Sequence, residues 1–304
     1  MNITIGTRKS QLAVWQANHV ASKLQQLGYS CQLVLIDSEG DKVLDTPLPL
    51  IGGKGVFTKA LDDAIIDNKI DIAVHSYKDL PTLLDKRLSV AAILKREKPT
   101  DALVTKNGLE FLKVKKGIIA SSSNRRKSQW LNKYPEHTMV DIRGNVPTRI
   151  KKLHDSPWDA TILACAGLIR LEMEDEIAME LDWMVPAPAQ GAIAVMCHSS
   201  NTDIEQTVSQ INHQATALCT NIERNFLNEL NGGCSAPIGA FAYTNNKQVI
   251  FKGIVLSLDG SKKIEIDLQE SINTSHNLGS RAAKIALDKG AKILIETANK
   301  LKNG

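Results

Sequence analysis

The stretch Asn2-Ile3-Thr4-Ile5-Gly6-Thr7-Arg8-Lys9-Ser10 opens the chain with a short apolar strand and a polar exit loop. Apolar residues then recur at helical spacing, which predicts an amphipathic helix with Ser10 as its N-cap and Gly28 as its stop. The predicted buried face of this helix consists of Leu12, Trp15, His19, Val20, Leu24 and Leu27. A second apolar strand runs from Cys31 to Ile36. This β-α-β order predicts a parallel sheet that binds ligands at the carboxyl ends of its strands, where Arg8 lies.

The same pattern returns after a polar crossing at residues 95–100, where a domain boundary is expected. Further strands are predicted at 70–74, 90–94, 117–120, 139–142 and 160–164. A return crossing at 186–191 precedes a strand at 192–197, which is expected to rejoin the first lobe.

The pattern changes again at about residue 214. It predicts a helix at 214–229, strands near 238–243, 248–257 and 263–270 joined by two hairpin turns, and a closing helix at about 276–301. We therefore predict an α/β chain with two β-α-β lobes and a smaller C-terminal α+β domain that contains a three-stranded antiparallel sheet. The predicted domains are residues 1–95 with 192–212, residues 100–188, and residues 214–304.

Length and composition limit the possible protein classes. A chain of 304 residues suits two or three domains that each bury a core. No apolar run approaches the roughly 20 residues of a membrane span, and the chain begins as a strand rather than a secretory segment, so we expect a cytoplasmic protein that does not bind membranes. The five cysteines show no metal-binding spacing, and their odd number argues against a disulfide framework. Four are expected in the core: Cys31, Cys165, Cys197 and Cys219.

The arginines are more informative than the net charge. The formal charge of +4, without a basic run interleaved with aromatic residues, does not indicate nucleic-acid binding. Six of the ten arginines fall in or just after predicted strand-to-helix junctions: Arg8, Arg125, Arg126, Arg143, Arg149 and Arg170. Since both lobes direct cations toward the carboxyl edge of their strands, we expect a polyanionic ligand between them.

Hydroxyl groups accompany two of these arginines. The loop Ser121-Ser122-Ser123-Asn124 leads into a helix that begins with Arg125 and Arg126. Hydroxyls and backbone amides at a helix N-terminus bind anions. Positive side chains at that end oppose the helix dipole, and an anionic ligand would reverse the penalty.

Two further loops are candidate functional segments. His75-Ser76-Tyr77-Lys78-Asp79-Leu80-Pro81 places an ammonium and a carboxylate side by side at the end of a buried strand; the alternative is a turn with two solvated charges. Residues 38–58 include Gly52-Gly53-Lys54-Gly55-Val56-Phe57 and form either a lid over the site or a plain surface loop. The glycine spacing excludes a P-loop.

The fifth cysteine lies in Asn231-Gly232-Gly233-Cys234-Ser235-Ala236-Pro237-Ile238-Gly239. Two glycines, which suit positive φ or close approach of another molecule, stand directly before Cys234, and Pro237 stiffens the turn. This setting suits a thiol that a ligand can reach. The alternative is a buried core cysteine beside glycines that serve only the turn geometry.

The order and spacing of these stretches resemble the porphobilinogen deaminase (hydroxymethylbilane synthase) family nearly end to end. The motifs that carry the resemblance are Gly-Thr-Arg-Lys-Ser at 6–10, Gly-Gly-Lys-Gly-Val-Phe at 52–57, His-Ser-Tyr-Lys-Asp-Leu-Pro at 75–81, Ser-Ser-Ser-Asn-Arg-Arg at 121–126, Arg-Gly-Asn-Val-Pro-Thr-Arg at 143–149 and Gly-Gly-Cys-Ser-Ala-Pro-Ile-Gly at 232–239. The resemblance implies a three-domain, monomeric transferase of haem biosynthesis, whose first two domains look like periplasmic-binding-protein lobes. Such an enzyme joins four porphobilinogen molecules head to tail, with loss of ammonia, into the linear tetrapyrrole hydroxymethylbilane.

The resemblance also implies a dipyrromethane cofactor, which the enzyme assembles from its own substrate and holds through a thioether to Cys234. Asp79 and Lys78 match the family's catalytic positions, and the resemblance implies that Lys78 holds a substrate carboxylate. The cofactor-binding residues carried over are Cys234, Ser122, Ser123, Arg125, Arg126, Lys78, Asp79 and Gly144. The substrate-binding residues carried over are Arg8, Ser10, Phe57, Arg143, Arg149, Arg170, Gln190 and Lys54.

These residue types suit the implied chemistry. Each pyrrole ring carries an acetate and a propionate, and a guanidinium binds a carboxylate in a fixed bidentate fork. Loss of ammonia leaves an electron-poor centre, and a fixed carboxylate such as Asp79 stabilises positive charge on neighbouring ring nitrogens.

The sequence departs from the family pattern at four positions: Leu50, where many relatives carry lysine; Tyr77, where methionine is usual; Ser121, where threonine is usual; and Ala189, where Gly-Gln-Gly would have its first glycine. Two other functions stay open. Two lobes with an arginine-lined cleft suit a non-catalytic binding protein for a carboxylated solute, and the same arginines suit a phosphate- or nucleic-acid-binding protein.

Overall fold

The computed structural model describes residues 1–37, 58–114, 116–233 and 236–303. The strands are β1 Asn2–Thr7, β2 Ser30–Leu35, β3 Ile72–Ser76, β4 Leu88–Ile93, β5 Asp101–Thr105, β6 Ile118–Ala120, β7 Thr138–Val140, β8 Ala160–Ala164, β9 Met179–Leu181, β10 Ile193–His198, β11 Ile238–Asn245, β12 Gln248–Leu256 and β13 Lys263–Ser271. The helices are α1 Gln11–Gln26, α2 Lys59–Ile66, α3 Asn124–Lys133, α4 Val146–His154, α5 Cys165–Arg170, α6 Thr202–Ser209, α7 Gln214–Glu229, α8 Leu278–Asp288 and α9 Ala291–Asn303.

The first compact unit comprises residues 1–97 and 191–217. Its five-stranded sheet has the order β2-β1-β3-β10-β4, in which β1 is parallel to β2 and β3, while β10 is antiparallel to β3 and β4. The prediction that the strand after the second crossing rejoins the first lobe is confirmed. Because β10 is antiparallel, its first residue, Ile193, pairs with Ser76 at the carboxyl edge of the parallel strands.

The second unit comprises residues 98–190 and 218–304 and contains two sheets. The five-stranded sheet has the order β7-β6-β8-β5-β9 and repeats the topology of the first: three parallel strands followed by an antiparallel one. The other sheet is the antiparallel β11-β12-β13, whose core with α7, α8 and α9 is centred on Phe226 and Phe251. The predicted fold class is confirmed. The division of the chain into three domains stays a prediction.

Several local predictions were wrong in instructive ways. Strands β5 and β9 were missed, since β5 begins with an aspartate and β9 has three residues. Strand β2 is an edge strand in which Ser30, Gln32 and Leu35 are exposed, so Cys31, expected in the core, is only partly buried. The expected closing helix is two helices, α8 and α9, separated at Lys289-Gly290.

The buried face of helix α1 overlaps the predicted one only at Val20 and Leu24. The buried residues are Ala13, Gln16, Ala17, Val20, Ala21 and Leu24. Trp15 and His19 lie at the border of this face and stack on each other, and Leu27 is exposed. Three alanines allow the helix to approach the sheet closely, so bulk alone was a poor guide to burial.

Candidate functional site

The first unit contains a cavity at the carboxyl edge of its parallel strands. Its volume is about 260 Å³ including the open mouth, and its polar lining residues are Arg8, Gln16, Thr58, His75, Ser76 and Asp79. Arg8 follows β1, and Asp79 ends the 3-10 turn Tyr77–Asp79 after β3. The parallel order of β1 and β3 therefore brings together a cation and a carboxylate that are 71 positions apart in the sequence.

Two buried residues hold the turn that carries Asp79. Tyr77 is buried and donates its backbone N–H to the carbonyl of Ala192, and Leu80 is buried on the other side. Between these anchors Lys78 is half-buried and Asp79 is exposed. The Asp79 carboxylate makes no hydrogen bond or ion pair with any residue that the structure describes. The fold thus presents this carboxylate to the cavity without an internal partner.

His75 is a cavity residue that the sequence analysis did not single out. Its side chain is 6% exposed, and its Nε2 atom has no hydrogen-bond partner among the described residues. Burial, aided by the charge of Arg8, lowers the pKa of His75 to about 3. The imidazole is therefore neutral at ordinary pH. A strand-terminal histidine directly before the Ser-Tyr-Lys-Asp turn was the available sequence signal.

Ser10, another predicted residue of this unit, has a local structural role. The Ser10 hydroxyl caps α1 by accepting the N–H of Ala13, as predicted. Gln16 donates to the Ser76 hydroxyl at 2.8 Å, which fixes both groups at the cavity wall. Lys54, Phe57 and Leu50 lie outside the described residues.

In the second unit, Arg125 and Arg126 share one buried carboxylate. Asp101, the first residue of β5, is fully buried and accepts from Arg125 Nη1 at 2.6 Å and from Arg126 Nε and Nη2 at 2.9 and 2.7 Å. Gln190, also fully buried, donates to the same carboxylate at 3.0 Å. The sequence predicts an anionic ligand that neutralises the two arginines at the start of α3. In the structure, the Asp101 carboxylate of the protein itself already binds both of them. Asp101 was missed because β5 was missed.

Because the side chains of this cluster are buried, they have few polar atoms left to contact a ligand. Burial lowers the pKa of Arg125, and the Asp101 carboxylate opposes that shift. Gln190 also donates to the carbonyl of Pro99 at 2.8 Å, so its amide is bound inside the unit. The predicted contact of Gln190 with substrate has no exposed amide to support it, and it stays a prediction.

The serines before α3 are bound to the neighbouring loop. The Ser122 hydroxyl donates to the carbonyl of Ile142 at 2.9 Å and accepts its N–H at 3.0 Å. Ser123 is the N-cap residue of α3, with no side-chain capping bond. These bonds join the Ser122 loop to the loop that carries Arg143.

Arg143 presents a polar atom that the protein does not satisfy. Its Nη1 is buried and has no hydrogen-bond partner among the described residues. The next residue, Gly144, has φ +120°, and a Cβ there would lie 2.7 Å from Cγ2 of Thr148. Arg149 Nε donates to the carbonyl of Gly144 at 2.7 Å, and Arg170 is buried at the end of α5. Glycine is thus required at position 144, between Arg143 and the carbonyl that Arg149 binds.

Cys234 itself lies outside the described residues, but its flanks are described. Asn231, rather than Gly232 or Gly233, has positive φ, at +50°. Gly232 is needed for space, because a Cβ would lie 2.5 Å from Cδ1 of Ile238. Neither glycine takes positive φ; Gly232 makes room for the protein's own side chains, and a Cβ at Gly233 would meet no described atom within 4 Å.

The four described cysteines are poor candidates for covalent attachment. Burial raises the pKa of the Cys31, Cys165 and Cys197 thiols, which disfavours the reactive thiolate. Cys219 is 4% exposed. Cys31 is only partly buried, at the border of the first core, while the other three are buried as expected.

The described ranges lack both a metal-ligand cluster and a membrane-spanning helix. They contain no group of three or more His, Cys, Asp or Glu side chains that could hold a metal ion. No helix in them is both long enough and apolar enough to cross a bilayer.

Comparison with known families gives the site its context. The model described as "Porphobilinogen deaminase, dipyromethane cofactor binding domain" matches residues 3–206, and that of "Porphobilinogen deaminase, C-terminal domain" matches residues 217–288. The chain belongs to the porphobilinogen deaminase family. A porphobilinogen deaminase of Nitratiruptor sp. is 40% identical over 98% of this chain and 97% of its own. Another, of Syntrophomonas wolfei, is 41% identical over 97% of this chain and 99% of its own.

Solved structures resemble the chain only distantly. The periplasmic VFT2 domain of BvgS from Bordetella pertussis covers 69% of this chain and 86% of its own, with 12% identity and a TM-score of 0.41. The fold class of this chain follows from its strand order.

Family membership confirms the predicted function and cofactor. The chain is a transferase of tetrapyrrole synthesis that acts with a dipyrromethane cofactor, and the reading as a non-catalytic solute-binding protein is not favoured. The roles of individual residues stay predictions.

Proposed function

We propose that the chain is a hydroxymethylbilane synthase that adds four porphobilinogen molecules, one at a time, to a primer on Cys234. Each addition forms one carbon–carbon bond between rings and releases one ammonia. We further propose that it works as a monomer in the cytoplasm. The observation that carries the proposal is the shared cavity of Arg8 and Asp79, which unites an anchor for an acidic substrate with a carboxylate that has no partner among the described residues.

Arg8 is proposed to bind a substrate carboxylate. A guanidinium and a carboxylate about 4 Å apart attract by roughly 4 kcal/mol at an effective dielectric constant of 20, before desolvation is subtracted. Its planar fork also orients the ring to which the carboxylate is attached. Lys78, half-buried beside Asp79, is proposed to hold a second substrate carboxylate.

Asp79 is proposed to stabilise positive charge that develops on the substrate ring as ammonia leaves. Its exposed carboxylate can accept a ring N–H and can take up or return a proton during each addition. Neutral His75 adds no charge that would oppose this role. Asp79 is therefore the residue whose loss should affect turnover most.

The positive charge of the arginine cluster in the second unit suits the acetate and propionate groups of dipyrromethane. Two guanidinium groups share the single carboxylate of Asp101, so this cluster keeps one net positive charge. The buried Nη1 of Arg143 is a further donor without a described partner. We propose that Arg125, Arg126 and Arg143 hold the cofactor's carboxylates, with Ser122, Ser123 and Gly144 shaping the adjoining loops. When bound at Cys234, dipyrromethane supplies the ring to which units are added.

Product stoichiometry tests this function. Purified protein incubated with porphobilinogen should release four ammonia molecules for each linear tetrapyrrole. The Asp79→Asn substitution should abolish both ammonia release and tetrapyrrole formation. Asp63→Asn, which removes an exposed carboxylate from α2, serves as the control and should behave as wild type. Consumption of porphobilinogen without tetrapyrrole, or equal activity of the Asp79 and Asp63 variants, would contradict the proposal.

A further inference from the structure

The Asp101 carboxylate accepts more hydrogen bonds than a single buried ion pair would supply. Four donors converge on this carboxylate: one nitrogen of Arg125, two of Arg126, and the amide of Gln190. Asp101 and Gln190 are fully buried, and Arg125 and Arg126 are 4% and 6% exposed. Side chains with this many fixed bonds have little freedom to rotate.

The two arginines differ in how many of their donors the protein uses. All three nitrogens of Arg126 donate, since Nη1 binds the carbonyl of Ile162 at 2.7 Å. Arg125 donates through Nη1 alone, to Asp101 and to the carbonyl of Val185 at 3.0 Å. Its Nε and Nη2 have no hydrogen-bond partner among the described residues. Arg125 therefore keeps one edge of its guanidinium for a ligand while Asp101 holds the other end.

Strand order explains why Asp101 is in this place. Strand β5 is antiparallel to β8, and Asp101 pairs with Ala164 at the edge where the parallel strands of the sheet end. The loop from β6 to α3, which carries the arginines, leaves the sheet at that same edge. The carboxylate is thus attached to the sheet rather than to the loop, and it gives the arginine side chains a fixed reference.

We propose that Asp101 is a positioning residue for cofactor loading: it fixes Arg125 and Arg126 so that the free edge of Arg125 receives a carboxylate of dipyrromethane. This inference rests on the proposed function. Two cations beside one anion leave a charge for the ligand, and the fixed geometry removes the ordering cost that flexible arginines would add to binding. In this proposal neither Asp101 nor Gln190 contacts the ligand; both act by holding the arginines in place.

The test compares Asp101→Asn with Asp159→Asn. Asp159 is a partly buried residue directly before β8 of the same sheet; its carboxylate accepts the N–H of Ile118 at 2.8 Å and touches no arginine in the described contacts. Each variant is expressed as the full chain, the fraction that carries the cofactor is measured by intact mass, and apoprotein is reloaded with porphobilinogen. Asp101→Asn should lower the reloading rate at least about tenfold, because charge-assisted bonds are lost, whereas Asp159→Asn should load as wild type.

A merely structural role would give a different result. Both variants would then have lower melting temperatures, but Asp101→Asn would load fully and keep the wild-type KM, and that outcome would overturn the proposal. Because Asp101→Asn leaves two buried cations without their anion and can fail to fold, Gln190→Met provides a second test that leaves every charge in place. It should fold and reload several-fold more slowly; wild-type loading would overturn the proposal. Failure of the wild-type chain to load at all would instead contradict the proposed function.

Discussion

The carboxylate of Glu223 accepts the backbone N–H of Ala189 at 2.6 Å, and Ala189 has φ +61° in the left-handed region. Both residues are fully buried. The other oxygen of Glu223 accepts the N–H of Ala242 at 2.7 Å, so one side chain of α7 ties the return crossing to β11. The departure from glycine at position 189 therefore introduces backbone strain, and the hydrogen bond that Ala189 donates to Glu223 helps to hold that conformation in place.

Ala189→Gly should relieve this strain. The left-handed conformation costs a residue with a Cβ about 1–2 kcal/mol, and the larger entropy of unfolded glycine offsets about 0.5–1 kcal/mol of the gain. We expect the free energy of unfolding to rise by up to about 1 kcal/mol in a denaturant titration. Ala166→Gly, inside α5, is the control and should lower stability. Equal destabilisation by the two substitutions would contradict the account of Ala189.

Arg143→Ala should weaken ligand binding more than folding. The buried Nη1 of Arg143 gains no bond from the described protein, so its removal should change the free energy of unfolding by less than about 1 kcal/mol. The KM for porphobilinogen should rise at least about tenfold, since a charge-assisted bond to a carboxylate is lost. Steady-state kinetics and thermal melting separate the two effects.

Arg149→Ala is the matched comparison for Arg143, because Arg149 Nε donates to the carbonyl of Gly144. Its removal should lower the melting temperature as well as activity. If Arg143→Ala were the less stable variant of the two, the orphaned nitrogen would have a structural role that the described contacts do not show.

His75 predicts a pH dependence of stability. Its folded pKa of about 3 lies below the unfolded value of about 6.5, so the unfolded chain binds the proton more tightly. The stability due to neutral His75 is complete above pH 6.5 and is lost as the pH falls toward 3, by about 2 kcal/mol at pH 5. Asp62 acts in the opposite direction, since burial raises its pKa to about 6.

The contribution of His75 is isolated by comparing wild type with His75→Gln. Because Asp62 is common to both proteins, the difference in their unfolding free energies should shrink by about 2 kcal/mol between pH 7 and pH 5. Denaturant titrations at the two pH values give this number. A difference that stays constant with pH would show that His75 is not held neutral by burial.

The sequence predicted those helices and strands whose hydrophobic pattern extends over several residues. It predicted those site residues that lie together in one short stretch of the chain. The β-α-β order placed Arg8 and Asp79 at one edge, and their common cavity follows from it. Asp101 could not be found in this way, because a single aspartate at the start of a short antiparallel strand carries no periodic signal. His75 was hidden for a related reason: its burial and its bare Nε2 are properties of packing against neighbouring strands.

The central claim is that this chain elongates a primer bound covalently to Cys234, and the intact mass of the freshly purified protein tests it most directly. The account predicts a mass above that of the polypeptide by two linked pyrrole units, and the bare polypeptide mass for Cys234→Ala. A wild-type chain with only the mass of its amino acids, which stays without added mass after incubation with porphobilinogen, would contradict it.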